Sequence, residues 1–476
     1  MKHVHLVGVS GTGMGALATL FRSKNVRVTG ADVAFDPPIG PALREAGVEC
    51  LSGYDASHLD PAPDVVVIGN AIRKDNVEAR AAEERDLPRS SMSGALRDHF
   101  LRGRRPVVVC GTHGKTTTSS LSAWVLAHAK LEPGFFIGGI PKGFGVGAAI
   151  GYAERSLTKK PAPFVVEGDE YDAVYWHKQP KFFDYVGVSA DDVVIVTSIE
   201  HDHIDIYPTE RAYEDAFIGL YERVPEKGLV IVDISQSRAL ELARTHAKAR
   251  VVTYGLDPSA EWSGALAADG TFDVFAGGSA CGRFSLQLPG AHNVRNALAA
   301  IAMAAEGFGV APSTSKAALA SFEGVKRRQE LLGEPGGVFV YDDFAHHPTA
   351  VDETLRALRK KHPKGSLVAI FEPRSATACR NIHQAAYVGA FEAADRVLLA
   401  PLGRTNVPEA ERLDLAKLAR DLGSKARAAT SVDDIVNDVA SSAKRGDVIA
   451  VLSNGAFGGI HALLTHELEK RGGAEK

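Results

Sequence analysis

Apolar runs alternate with glycine-rich or acidic turns along the whole chain. Positions 3–9 (HVHLVGV) read as a buried strand, glycines at 11–15 open a helix, 26–31 form a second strand ending at Asp32, and 64–69 form a third. A new series starts at the apolar run 107–109, with strands at 163–167 and 193–198, both closing in polar clusters. Alternation over 271–288 predicts one or two antiparallel strands, and the alanine-rich segment 292–305 an apolar helix. Strands at 338–341, 367–371, 397–399 and 448–452 alternate with helices in a third series. Strands alternating with helical segments imply an α/β fold of three domains with largely parallel sheets. The expected boundaries are 1–104, 105–328 and 329–476, and 101–106 (LRGRRP) reads as a polar linker.

Composition narrows the class only moderately. The 476 residues fit several domains, and 45% hydrophobic with 24% charged residues is ordinary for a globular protein. A net charge of −4 argues against a general nucleic-acid binder. Cys50, Cys110, Cys281 and Cys379 lie far apart with no C-x-x-C pair, which suits a reducing cytoplasm and gives no zinc or disulfide framework. The first residues lack the shape of a signal peptide, and no apolar run approaches the ~20 residues of a membrane helix. The expectation is a cytoplasmic protein without membrane insertion.

The segment 106–118 (PVVVCGTHGKTTT) carries the strongest chemistry. An apolar strand feeds Gly111, Thr112, His113 and Gly114, and Lys115, Thr116 and Thr117 open a helix. Loop and helix N–H groups then point at phosphate oxygens, Lys115 reaches the outer phosphates, and the Thr116 hydroxyl suits a magnesium ion. The motif departs from the full phosphate-loop pattern, whose first glycine falls at Val109. The glycines at 11, 13 and 15, in a βαβ unit, suit either a diphosphate or close helix–strand packing.

Acidic and histidine clusters close the strands, where ligands of parallel sheets gather. In 167–172 (EGDEYD), Glu167 directly follows apolar residues and is the first choice as a second magnesium ligand; Asp172 equally fits a solvated turn. In 200–205 (EHDHID), one histidine is a metal candidate, the other packs or caps, and Asp202 or Asp205 orients a ring. In 342–348 (DDFAHHP), Asp343 and His346 face a nucleotide from another domain, or the segment is a helix cap with Pro348 in the first turn.

Together these residues resemble the Mur ligases, the family that builds the peptide of the bacterial cell-wall precursor. The resemblance spans nearly the whole chain. It implies a Rossmann-like UDP-binding domain, a central P-loop ATPase-like domain and a C-terminal Rossmann-like domain. It further implies ATP and Mg²⁺ (or Mn²⁺) as cofactors, with Thr116, Glu167 and His203 on the metal and with Lys115, Glu167, His203 and His346 catalytic. Residues 111–117, Asn293, Asn296, Arg328 and Asp343 match the family's ATP contacts, with Arg327 and Arg328 as the basic pair at the join to the last domain. The start at 8–15 is similar to the branch whose first domain holds UDP; Gly11, Thr12, Gly13, Met14, Asp32, Asn70, Ala71 and Ile72 are then sugar-nucleotide contacts, with Asn76 nearby.

Three stretches, 167–172, 371–375 (FEPRS) and 453–461 (SNGAFGGIH), resemble those family members that attach a preformed peptide rather than alanine. The implied partners are UDP-N-acetylmuramic acid, the murein tripeptide L-alanyl-γ-D-glutamyl-meso-diaminopimelate and ATP, with His347, Arg374, Ser375 and Asn454 toward the peptide. A monomer or weak homodimer is expected. Ala456 stands where glycine is usual, and 189–192 (SADD) reads as an insertion. The implied reaction runs through an acyl phosphate on the lactyl carboxylate, attacked by a neutral amine. His346 serves there as base or positioner, and Arg374 is suited to clamp a carboxylate. Competing readings are an alanine ligase, a nicotinamide oxidoreductase built on Gly11, Gly13 and Asp32, and a non-catalytic UDP-sugar module. The oxidoreductase leaves Lys115, Glu167 and His203 unexplained, and intact Lys115, Thr116, Glu167 and His203 argue against the last.

Overall fold

The computed structural model describes residues 1–151, 161–404 and 406–474. Strands rich in Val and Ile, buried on both faces, assemble into three main sheets, each flanked by helices. The first sheet is fully parallel, in the order Glu49–Ser52, Arg27–Asp32, His3–Val7, Val65–Ile68, Arg89–Ser91. Its helix Thr12–Ser23 follows the glycine-rich turn, as the pattern predicts.

Among the described residues the central sheet has ten strands. Arg105–Cys110 lies between Val193–Val196 and Pro163–Glu167, all parallel, so the phosphate loop and both polar strand ends open on one edge. The alternation near 271–288 resolves into the antiparallel hairpin Phe272–Ala276 and Ser279–Phe284. The third sheet has six strands, with Glu330–Gly333 antiparallel at its edge and Phe339–Asp343 beside Val448–Leu452.

One sequence expectation changes. The segment 101–106 is not a solvated linker: Arg105 and Pro106 already belong to the strand Arg105–Cys110. Arg104 is buried and donates to the Ile150 carbonyl, while Arg105 donates to that of Asp191. Guanidinium stems cover apolar surface while their heads tie loops together. The segment 189–192 is a built turn: Asp192, pushed up to about 6 by burial, accepts the backbone N–H groups of Gly187, Val188 and Ser189.

The first and central units share one apolar cluster, with Met92 and Phe100 continuous with Phe136 and Phe182. The apolar clusters of the third unit are its own. It meets the central unit chiefly through polar contacts around Arg327, Arg328 and His347, described next.

Candidate active site

Gly111 and Gly114 shape the phosphate loop, with φ of +123° and +77°. A Cβ on Gly111 would stand 2.3 Å from the Thr197 hydroxyl, and one on Gly114 2.6 Å from Asn296 Oδ1. Only glycine fits either place. Thr112 and His113 are pinned to the neighbouring strand end: the Thr112 hydroxyl donates to the Glu200 carbonyl and the His113 N–H to Ser198 Oγ. Lys115 and Thr116 begin the helix Lys115–His128.

Lys115 and Thr116 each face a carboxylate. Lys115 Nζ lies 2.9 and 3.0 Å from the two oxygens of the buried Glu170. Burial alone would lower the pKa of this lysine, but Glu170 holds it above the usual range, so it stays charged. Thr116 Oγ1 donates to Glu167 Oε1 at 2.9 Å and accepts from Arg328 Nη2 at the same distance. The other Glu167 oxygen accepts the Gly138 N–H. His203 takes φ +54°, with its N–H held by Asp202, its ring against Tyr171 and its Nε2 3.8 Å from Glu170. Such strain in a non-glycine residue gathers at functional sites. His201 is engaged otherwise, through Nε2 on the Tyr207 carbonyl, and Asp205 is exposed.

The donor types suit magnesium: the Thr116 hydroxyl and the Glu167 carboxylate stand side by side as hard oxygen donors, with the His203 imidazole in the same cleft.

The join to the third unit is folded around Asp343. Its carboxylate accepts the N–H groups of Gln329 and Ala345, both at 2.7 Å. Arg327 and Gln329, on either side of Arg328, take φ of +60° and +48°. Gln329 also bonds Asn293, whose Oδ1 accepts from Asn296 Nδ2; Asn296 in turn accepts from Thr118. The Arg327 guanidinium reaches the carbonyls of Ser453 and Gly455.

His346 and His347 diverge. Nδ1 of His346 is 3.0 Å from the Phe344 carbonyl, which only accepts, so Nδ1 carries the proton and Nε2 the lone pair. Burial, partly opposed by Asp202, lowers its pKa and keeps the ring neutral near pH 7. His347 caps the helix Pro348–Lys361 and lies beside the phosphate loop, its ring 4.5 Å from that of His113. The helix-cap reading of 342–348 therefore holds, and the capping residue also borders the phosphate loop.

Farther out, Arg374 is 43% exposed, packs on Gly455 and sits 3.4 Å from Glu372. Ser375 Oγ accepts the Ala378 N–H. Asn454 Oδ1 is buried with no hydrogen-bond partner among the described residues, an acceptor left for a ligand. Ala456 has φ −76° and ψ −14°, where a Cβ costs nothing.

In the first unit, Asp32 accepts the N–H groups of Ser10 and Val33. Gly13 packs on Met92, Ile72 is buried on Gly8, Ala71 is exposed and Asn76 caps a helix. Gly11, Thr12, Gly13, Met14 and Asn70 line the same cleft, of about 680 Å³, as Lys115, Glu167, His203, Arg328, His346 and Asn454. The structure thus brings together residues from all three units, while Arg374, Ser375, Asp32, Ala71 and Ile72 lie outside that lining. Sequence reasoning passed over Glu170, Glu200 and Gln329. The first two stood in quoted acidic runs, but nothing in the order of residues singles out the one facing Lys115 or His113.

Comparison with known proteins adds three family matches in chain order. They are the Mur ligase family catalytic domain over residues 3–104, the Mur ligase middle domain over 109–304, and the Mur ligase glutamate ligase domain over 327–455. An Escherichia coli (strain K12) protein named UDP-N-acetylmuramate–L-alanyl-γ-D-glutamyl-meso-2,6-diaminoheptandioate ligase is 37% identical over 98% of each chain. A UDP-N-acetylmuramate–L-alanine ligase from Arthrobacter sp. (strain FB24) is also 37% identical, over 94% of this chain and 91% of its own. The crystal structure of a murein peptide ligase from Psychrobacter arcticus superposes with a TM-score of 0.74 at 33% identity, covering 98% of this chain and 99% of its own.

Proposed function

This chain belongs to the Mur ligase family, and from that premise we propose that it is an ATP-dependent ligase joining UDP-N-acetylmuramic acid to L-alanyl-γ-D-glutamyl-meso-diaminopimelate. The observation that carries the reading is the single cleft shared by the glycine-rich turn of the first unit, the phosphate loop and the third unit's 343–347 and Asn454. A sugar nucleotide, ATP and an amine must meet in one place for this reaction. A consumer of ATP and a UDP-sugar works in the cytoplasm, and no described helix is long and apolar enough to cross a membrane.

In this reading ATP phosphorylates the lactyl carboxylate, and the peptide amine displaces phosphate from the acyl phosphate. Two anions must approach, so charge compensation dominates the barrier. Lys115 turns from Glu170 to the outer phosphates, and Arg328 adds a second positive charge beside Thr116. Thr116, Glu167 and His203 are the residues to hold Mg²⁺, which when bound supplies further charge neutralisation at the phosphates. His346 Nε2 takes the proton that the amine loses. Docking of the third unit over the cleft keeps water from the acyl phosphate.

The rival acceptor is free L-alanine, the one named for the Arthrobacter relative, which is 37% identical but over a smaller share of both chains. Supplying tripeptide and L-alanine together, with ATP and UDP-N-acetylmuramic acid, and weighing the products by mass spectrometry decides between them. The tripeptide adduct should dominate; a dominant muramoyl-alanine product overturns the acceptor assignment.

A further inference from the structure

Three groups with metal-ligand chemistry meet where the phosphate loop, the strand end at 200 and the third unit touch, and the magnesium set above uses none of them. They are His113, Glu200 and His347, whose ligand atoms all lie within 4.8 Å of one another. His113 Nε2 is 3.2 Å and His347 Nδ1 3.6 Å from the same oxygen, Glu200 Oε2. Around a tetrahedral ion with bonds of about 2.0–2.1 Å, ligand atoms stand about 3.3–3.4 Å apart. The two separations from Glu200 Oε2 fall on either side of that edge.

We propose that His113, Glu200 and His347 form a binding site for a zinc-class divalent cation, distinct from the magnesium set and bridging the phosphate loop to the third unit. Two imidazoles with one carboxylate select a borderline metal such as zinc, whereas magnesium seeks oxygens. Three protein ligands leave a fourth position for water or a molecule in the cleft, which all three residues line.

The surroundings orient the set. Thr349 donates its hydroxyl to Glu200 Oε2 at 2.7 Å, and its N–H caps His347 Nδ1 through a long 3.4 Å contact, which shows that this nitrogen is the unprotonated one and which a bound ion replaces. Outer contacts of this kind fix ligand rotamers. His383 stacks edge-on against His347 at 4.6 Å, and its Nε2 is buried without a hydrogen-bond partner among the described residues. The N-terminus of the helix Pro348–Lys361 disfavours a cation at His347, and the Glu200 charge offsets it. Because His347 comes from the third unit and the other two from the central unit, a bound ion clamps the two together.

The test uses the full-length protein, stripped with a chelator and titrated with Co²⁺ in excess Mg²⁺. One equivalent should bind with the intense visible bands of tetrahedral cobalt. Losing even an outer-shell partner weakens metal sites about 10–100-fold. His113→Gln, Glu200→Gln and His347→Gln should therefore each weaken Co²⁺ at least about tenfold, while Glu167→Gln and His203→Gln retain the bands. Circular dichroism checks that each variant is folded. As a second readout free of that concern, Zn²⁺ should slow proteolytic cleavage at the join near 327–329 in the unmutated protein. Bands that survive Glu200→Gln but vanish in His203→Gln, or no Co²⁺ binding above that of Mg²⁺, overturn the site. The outcome is independent of which amine the ligase accepts.

Discussion

At the scale of single residues, the loop is a set of charges waiting to change partners. Lys115 rests on Glu170, and Arg328 on Thr116. Lys115→Ala should abolish ligation yet spare UDP-N-acetylmuramic acid binding, because the glycine-rich turn lies in a separate unit. Calorimetric titration of a folded mutant checks this; loss of sugar-nucleotide binding would mean the substrate sits elsewhere. Glu167→Ala and His203→Ala should each lower kcat by orders of magnitude, since one electrostatic contact to a transition state contributes about 2.7–4 kcal/mol. His201→Ala should matter far less, its Nε2 being occupied by the Tyr207 carbonyl. A dead His201→Ala with near-normal His203→Ala reverses these roles. Burial lowers the pKa of His346, so its basic form is lost only as pH falls through a value below the usual 6.5. Turnover should thus be flat near neutrality and drop on the acid side, and His346→Gln should flatten that limb while lowering kcat. A limb unchanged in His346→Gln assigns the base to another group.

At the scale of elements, strand ends and helix starts do the positioning. The strand Phe339–Asp343 ends in a carboxylate that accepts two backbone N–H groups, one from its own loop and one from Gln329. Asp343→Asn puts an N–H₂ where an acceptor is needed, leaving a buried donor unmatched at a cost of about 1–3 kcal/mol. Amide hydrogen exchange at Gln329 and Ala345 should accelerate, and the KM for ATP should rise through the Gln329–Asn293 contact. Unchanged exchange would show that the join does not depend on Asp343. Helix and strand order were legible from apolar periodicity, down to the exact span 367–371. The linker at 101–106 misled because arginine reads as solvated in sequence, whereas here carbonyls of distant loops receive the guanidinium groups.

At the scale of the molecule, a shared apolar cluster fuses the first two units, and the third is joined by polar contacts and left-handed backbone at 327 and 329. That division suits a rigid pair with a docking partner. Arg374 belongs to the docking unit, lies outside the cleft lining and is 43% exposed, well placed for a carboxylate remote from the reacting amine. Remote binding energy appears in turnover as well as affinity. Arg374→Ala should therefore lower kcat/KM for the tripeptide by at least about tenfold, the worth of 1.4 kcal/mol, while changing residual alanine coupling little. Equal losses with both amines would remove Arg374 from acceptor recognition.

The sequence by itself determined the α/β units, the phosphate loop and the runs of acids and histidines, because periodicity and glycine-dependent turns are local. The tertiary structure alone decided which acid faces which base. Glu167 and Glu170 are three residues apart, yet one meets Thr116 and the other Lys115. His346 and His347 are adjacent, yet one is a lone-pair donor near Asp202 and the other leans on His113 and Glu200. Those pairings follow from how parallel strands set their ends side by side and how one unit docks on another, and contacts across so many intervening residues leave no trace in local order.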